Sequence, residues 1–273
     1  MGRAAAVEEP IGREGGGEAP RSLRMRLRER RQRGIAAGMA GALLAFLALT
    51  SVQALGVAPY LPPDELYHVG YAVVVGDGHL PTLTTPVPIG EIPLPPRDGR
   101  PRRVYTANHP PLFYLPESIV LRIGPPAVAL LAARLLSACF GAAGVLLVAW
   151  LALVVVPDRP RVAVAAAWLV ALLPAVPHYS AFVYNDGLGF LASTAALVAG
   201  AITLRRGPTW WRLLGLSAAA AAAAQTRAPG LALIAVAGTV TAVAVWLHVR
   251  RPAARRLLLA AGTGALVGGA SLA

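Results

Sequence analysis

The chain has 273 residues, of which 56% are hydrophobic and only 14% charged, with a mean hydropathy of +0.59. A water-soluble domain cannot hide that much apolar surface, so lipid is the solvent for most of the chain. The net charge of +12 comes from 25 arginines without a single lysine. They punctuate hydrophobic runs instead of clustering on a soluble face, which argues against a nucleic-acid binder.

Residues 1–33 read as a disordered, basic cytoplasmic tail. Gly, Glu and Pro dominate 1–20, and seven Arg against one Glu fill 21–33. The apolar run 34–56 is 23 residues long, enough to span a bilayer and too long for the core of a cleaved secretory signal. The arginines before it would hold the N-terminus in the cytoplasm, with binding to anionic lipid a second use. Residues 57–126 read as a long outer loop. About six further membrane helices follow in 127–273: 127–156 (crossing at 137–156), 162–177, 187–204, 213–224, 230–247 and a last run from Leu257. The twelve residues 213–224 also fit a half-span or a buried broken helix. The inner segments carry seven, two, three and four Arg, whereas the short outer turns 178–186 and 225–229 carry none and one. That asymmetry predicts seven spans with the N-terminus inside. The single Cys139 can form no intrachain disulfide. The sequence stops inside an apolar run, Ser271-Leu272-Ala273, which reads as an incomplete last helix, either of a longer protein or of a truncated gene product. The fold class is therefore all-α, a polytopic transmembrane helical bundle.

From residue 57 onward there are eight Asp or Glu, and six lie in the outer loop. Asp64 and Glu65 are adjacent, directly after Pro62-Pro63. Paired carboxylates at the surface of an apolar protein point to chemistry; equally, Asp64 suits the N-cap of a short helix starting at Glu65. The predicted topology gathers these acids, Asp186, four of the five histidines and most tyrosines on the outer face. Carboxylates, imidazoles and aromatic rings together suit a carbohydrate site, although tyrosine is also a common interfacial belt residue. Asp64 and His68 would share a helix face at i, i+4, and with Glu65 or another histidine they are a candidate divalent-metal site. The spacing is not His-Glu-x-x-His, and no metal ligand is assigned. No P-loop, dinucleotide fingerprint or Ser-His-Asp arrangement is present.

The ordered set of Asp64-Glu65, His109-Pro110-Pro111-Leu112-Phe113-Tyr114 and Ala133-Arg134-Leu135-Leu136-Ser137 resembles the GT-C superfamily of integral-membrane glycosyltransferases. The nearest branches are the protein-mannosyltransferase and lipid A aminoarabinose-transferase types and related uncharacterised bacterial membrane families. The turns Val183-Tyr184-Asn185-Asp186 and Thr226-Arg227-Ala228-Pro229-Gly230 also resemble family features, so the likeness covers roughly residues 35–250. Asp64-Glu65-Leu66-Tyr67-His68, with a histidine four residues after the aspartate, is closer to the uncharacterised branch.

The resemblance implies transfer of a sugar from a polyprenyl-phosphate donor to an acceptor on the outer face, in a bacterial plasma membrane. It implies Asp64 as the base that deprotonates the acceptor hydroxyl, with Glu65 as helper or alternative. Arg134, His109 and Arg227 are candidates for the donor phosphate, a guanidinium being able to bind phosphate oxygens bidentately. Tyr114, Asp186 and His68 complete the substrate-binding candidates. Structural readings stand beside these: Arg134 could snorkel to the headgroups, His109 could shape the loop, Arg227 could flank a turn and Asp186 could cap a helix. Rival functions are a transporter or lipid flippase using Asp186 and Arg134 as coupling charges, and a non-catalytic scaffold binding a partner through the Pro-rich stretch 81–101.

Overall fold

Arg, Leu, Met, Glu and Gln are strong helix formers, and neither Gly nor Pro interrupts residues 21–33. In the computed structural model, which describes residues 21–249 and 253–270, this basic stretch is helical and continues into the first apolar run as α1 (Arg21–Gly56). The tail expected to be disordered to residue 33 is thus helix from Arg21; its first 20 residues lie outside the described ones.

Proline and glycine set most of the later boundaries. Short helix α2 (Glu65–Gly76) is followed by Gly78 in the left-handed region at φ +82°. After α3 (Tyr114–Val120), proline opens both α4 (Pro126–Val155) and α5 (Pro160–Leu172), where its missing N–H costs nothing. The apolar segment expected to run unbroken over 162–177 is instead split into α5 and α6 (Ala175–Ser180). Pro174 lies at the break, and a proline disfavours helical geometry in the residue before it. Next come α7 (Asp186–Arg206), ended by Gly207 at φ +80°, and α8 (Trp210–Ala224), capped by the Thr209 hydroxyl accepting from the Arg212 amide. After a polar turn come α9 (Ala232–His248) and α10 (Ala253–Ala270). Among the described residues there is no strand, only one isolated bridge between Pro86 and Arg103 in the outer loop.

Among the described residues four segments are long and apolar enough to cross a membrane: Gln32–Gly56, Pro126–Val155, Asp186–Arg206 and Ala228–His248. The protein is a polytopic helical membrane protein. At 1.5 Å per residue α5 and α8 reach only about 20 Å, and their crossing belongs to the proposed topology.

Among the described residues two larger cores and two smaller ones, one of them joining α8 to α9 through Leu216, Ala220 and Ala237, hold the molecule. Within the bundle, alanines of α4 and α5 pack against Ala42 and Phe46 of α1, and small residues let the helices approach closely. Gly41 lies under the Trp168 ring, and Gly144 lies against Phe190. The second core belongs to the outer loop: Leu66, Val69, Tyr71, Phe113 and Tyr114 pack onto Leu130 and Ala133 of α4 and onto Val183. The loop is therefore a folded cap seated on one end of the bundle. At the opposite end, Arg205 donates to the carbonyls of Val154 and Val155, and the His248 ring meets the Leu204 carbonyl at 2.8 Å. The arginine-rich turns and the acid-rich loop thus occupy opposite ends.

Candidate active site

Asp64 and Glu65 sit at the start of α2, where successive side chains diverge by about 100°. Glu65 turns inward and is fully buried. Its two oxygens accept from Arg134 Nε at 2.7 Å and Nη2 at 2.6 Å, a bidentate pairing. The remaining Arg134 donors go to the carbonyls of Ala54 and Val57, at 2.7 and 2.8 Å, and more weakly to Ala58. Glu65 also accepts from the amides of Tyr60 and Val183. This knot ties the end of α1, the start of α2, α4 and the turn before α7. Arg134 has no donor left for a phosphate and is 3% exposed, so the structure does not leave it at the donor site. For the same reason Glu65 cannot meet an acceptor.

Asp64 points outward and is exposed. It occupies the N-cap position of α2, yet its side chain makes no capping hydrogen bond. It accepts instead from the Tyr105 hydroxyl, and its amide donates to the Tyr184 hydroxyl. Burial and the Asp64 charge both push the Tyr105 phenol up, so it stays a protonated donor. The Tyr67 and Tyr105 rings lie 4.3 Å apart beside the carboxylate, and Tyr105 is exposed.

His68 and Tyr114 behind this face are buried, and the cause is packing. Tyr114 stacks on Tyr71 at 3.6 Å, and its hydroxyl meets His68 Nδ1 at 2.9 Å. Neither is left to touch a sugar; both shape the floor. Burial, then the neighbouring His109 and Arg227, lower the His68 pKa to about 3, so the ring is neutral. It lies 5.9 Å from the His109 ring in a stacked arrangement. His109 is half-buried, and burial with the nearby Arg227 charge holds it below the usual imidazole range. It can offer an N–H to a ligand, not a charge. The Tyr71 hydroxyl donates to the His109 carbonyl and fixes this part of the loop.

Two turns from distant parts of the chain close the site. The Asn185 amide donates to the Thr226 carbonyl at 2.9 Å, stapling the turn before α7 to the turn after α8. Asp186 then pairs with Arg227. The Arg227 Nε is buried without a hydrogen-bond partner, an unmet donor of a kind that folded proteins rarely leave. Gly230 permits this turn, because a Cβ there would run into the Ala223 carbonyl. Below the pair, a groove of about 410 Å³ runs between α7 and α9, lined by Phe190, Ser193, Ala223, Pro229 and Leu233. The His68 Nδ1 is taken by the Tyr114 hydroxyl, and among the described residues no three His, Cys, Asp or Glu gather as a metal cluster.

The outer end thus presents an exposed carboxylate beside tyrosine rings and, at the turns joined by Asn185, a guanidinium at the head of an apolar groove. A family model for dolichyl-phosphate-mannose-protein mannosyltransferases matches residues 105–259, more than half of the chain. The chain belongs to that family. As a family member it is an integral membrane glycosyltransferase of the GT-C type. No curated protein and no solved structure matches it. The matched stretch holds Tyr105, His109, Tyr114, Arg134, Asp186 and Arg227, whereas Asp64, Glu65 and His68 precede it.

Sequence reasoning missed three contributors. Tyr105 was one outer aromatic among several until the fold placed it on Asp64. Asn185 read as part of a turn. Glu117 carried a legible signal, an acid inside Leu115-Pro116-Glu117-Ser118-Ile119-Val120, since such residues are almost never buried unpaired. It is fully buried, with one oxygen bonded to Ser137 at 3.1 Å and the other without a partner.

Proposed function

We propose that this family member transfers a sugar from a polyprenyl-phosphate donor to an acceptor hydroxyl at the outer face of the membrane. The observation that carries this reading is the Arg227–Asp186 pair, with its unmet Nε donor, at the head of an apolar groove, while His109 feels both that pair and the Asp64 charge. A polyprenyl chain is apolar and its phosphate anionic, so one molecule satisfies both halves. The phosphate lies at Arg227, with the neutral His109 offering a further N–H. Asp186 holds the guanidinium in place and limits its net charge.

In the reaction, Asp64 takes the proton of the acceptor hydroxyl as its oxygen bonds to the anomeric carbon. The bond from that carbon to the donor phosphate breaks, and the polyprenyl phosphate leaves with the electron pair. Arg227 stabilises the charge that gathers on the leaving phosphate. Tyr105 holds the carboxylate in line, and the Tyr67–Tyr105 rings offer a stacking face for a sugar. Asp64 lacks the capping bond that would compete for its oxygens, which supports its role as the base. The buried Glu65–Arg134 knot positions it without touching substrate.

The test uses membranes containing the chain, wild type beside Asp64→Asn, given radiolabelled polyprenyl-phosphate sugars. Donor loss in wild type, falling at least 100-fold in Asp64→Asn at equal protein level, is expected of a general base. Equal donor loss in both would remove Asp64 from the mechanism. Arg227→Gln, which removes a group from both donor binding and leaving-phosphate stabilisation, should lower kcat as well as raise the KM for donor.

A further inference from the structure

A second groove lies at the arginine-rich end, far from Asp64, between the C-terminal ends of α4 and α7. It has a volume of about 480 Å³ and is lined by Trp150, Leu153, Val154, Ile202, Arg205 and Arg206. Its wall is apolar and its mouth carries two guanidinium groups. Trp150 is half-exposed on the groove wall, and an indole ring suits the boundary between headgroups and acyl chains. Arg205 is fixed by the carbonyls at the end of α4. Among the described residues the Arg206 side chain has no hydrogen-bond partner, although its carbonyl accepts from Arg212. Arg212 bonds the Arg206 and Gly207 carbonyls beside the groove, and the stretch after α4 adds Arg159 and Arg161 against Asp158. The groove therefore carries unbalanced positive charge above a hydrocarbon wall.

We infer that this groove binds an anionic phospholipid of the leaflet at the arginine-rich end. Arg205 and Arg206 take the phosphate oxygens, and an acyl chain lies along Trp150, Leu153 and Ile202. Charge complementarity selects the occupant. A zwitterionic lipid gains less from the arginines, because its own cation offsets the phosphate charge, and a free phosphate gains nothing from the apolar wall. The proposed reaction places no residue here.

The experiment titrates the purified full chain in mild detergent with phosphatidylglycerol, phosphatidylcholine of the same acyl chains, and inorganic phosphate. Bound lipid is counted by native mass spectrometry, and melting temperature is followed in parallel. Phosphatidylglycerol should bind at least tenfold more tightly than phosphatidylcholine and raise the melting temperature, and inorganic phosphate should do neither. Arg206→Gln, which breaks no hydrogen bond, should weaken phosphatidylglycerol about fivefold. The double variant Arg159→Gln/Arg161→Gln removes more charge from outside the groove and should change affinity less than twofold. Equal loss in the two variants would overturn the inference in favour of a diffuse field. Equal affinity for the two lipids, or phosphate alone reproducing the melting shift, would overturn it as well.

Discussion

Asp64 and Glu65 are neighbours with opposite fates, and the helix start between them is the cause. Glu65 faces inward and becomes half of a buried ion pair at 2.6 Å, with 4% and 0% of the two side chains exposed. Such a pair is held mainly by the penalty of breaking it. Glu65→Ala or Arg134→Ala each leaves an uncompensated buried charge and should cost about 3–5 kcal/mol. The joint replacement Glu65→Leu/Arg134→Met should cost far less than the sum of the two. Thermal unfolding in detergent measures all three, and additive losses would show that the two side chains do not act together. Asp64→Asn, by contrast, touches an exposed group and should leave stability within about 0.5 kcal/mol.

At the scale of elements, α3 is docked on α4 through Glu117 and Ser137, and this contact titrates. Burial pushes the Glu117 carboxyl up to about 8, with the Ser137 hydrogen bond opposing the shift. Its folded-state pKa is thus raised above that of the unfolded chain. The stability it contributes is fully present below about pH 4.5, the ordinary glutamate value, and is lost as the pH rises through about 8. The melting temperature of the wild type should fall by several degrees between pH 5 and pH 8.5. Glu117→Gln, which keeps a hydrogen-bonding side chain without the charge, should flatten that slope. A slope unchanged in Glu117→Gln would assign the pH dependence to other groups. Another element device is the Gln225-Thr226-Arg227 turn, whose backbone accepts from Leu112 and Asn185. It brings Arg227 to a site otherwise built from the first loop and the start of α7.

For the whole molecule, the separation of charge between its two ends predicts orientation. Arginine-rich turns stay in the cytoplasm, so the folded cap over residues 57–126 should face outward. The test starts from Cys139→Ala and adds single cysteines, Glu91→Cys in the cap or Arg159→Cys in the α4–α5 turn. A membrane-impermeant maleimide applied to intact cells should label the first and not the second, and permeabilised cells should show both. The reverse pattern would invert the proposed topology and place the reaction inside. The apolar segments were legible because lipid imposes continuous apolar runs; among the described residues helices lie along them, and four are long and apolar enough to cross a membrane. The break at Pro174 and the helical start at Arg21 were subtler, since both depend on the backbone preferences of a few residues.

The sequence by itself determined the helical membrane class, because composition and hydropathy act along the chain and need no partner. Its ordered motifs also pointed to the GT-C glycosyltransferases. The tertiary structure decided which candidate meets which. Arg134 could equally have faced a phosphate, lipid or a carboxylate, and only packing put it on Glu65 and the end of α1. Tyr114 and His68 shared the outer loop with Tyr105, yet stacking against Tyr71 and α4 buried them and left Tyr105 beside Asp64. Asp186 and Arg227 are 41 positions apart and read as separate turns. Pairing between them depends on how α7 and α8 pack, which no local pattern encodes.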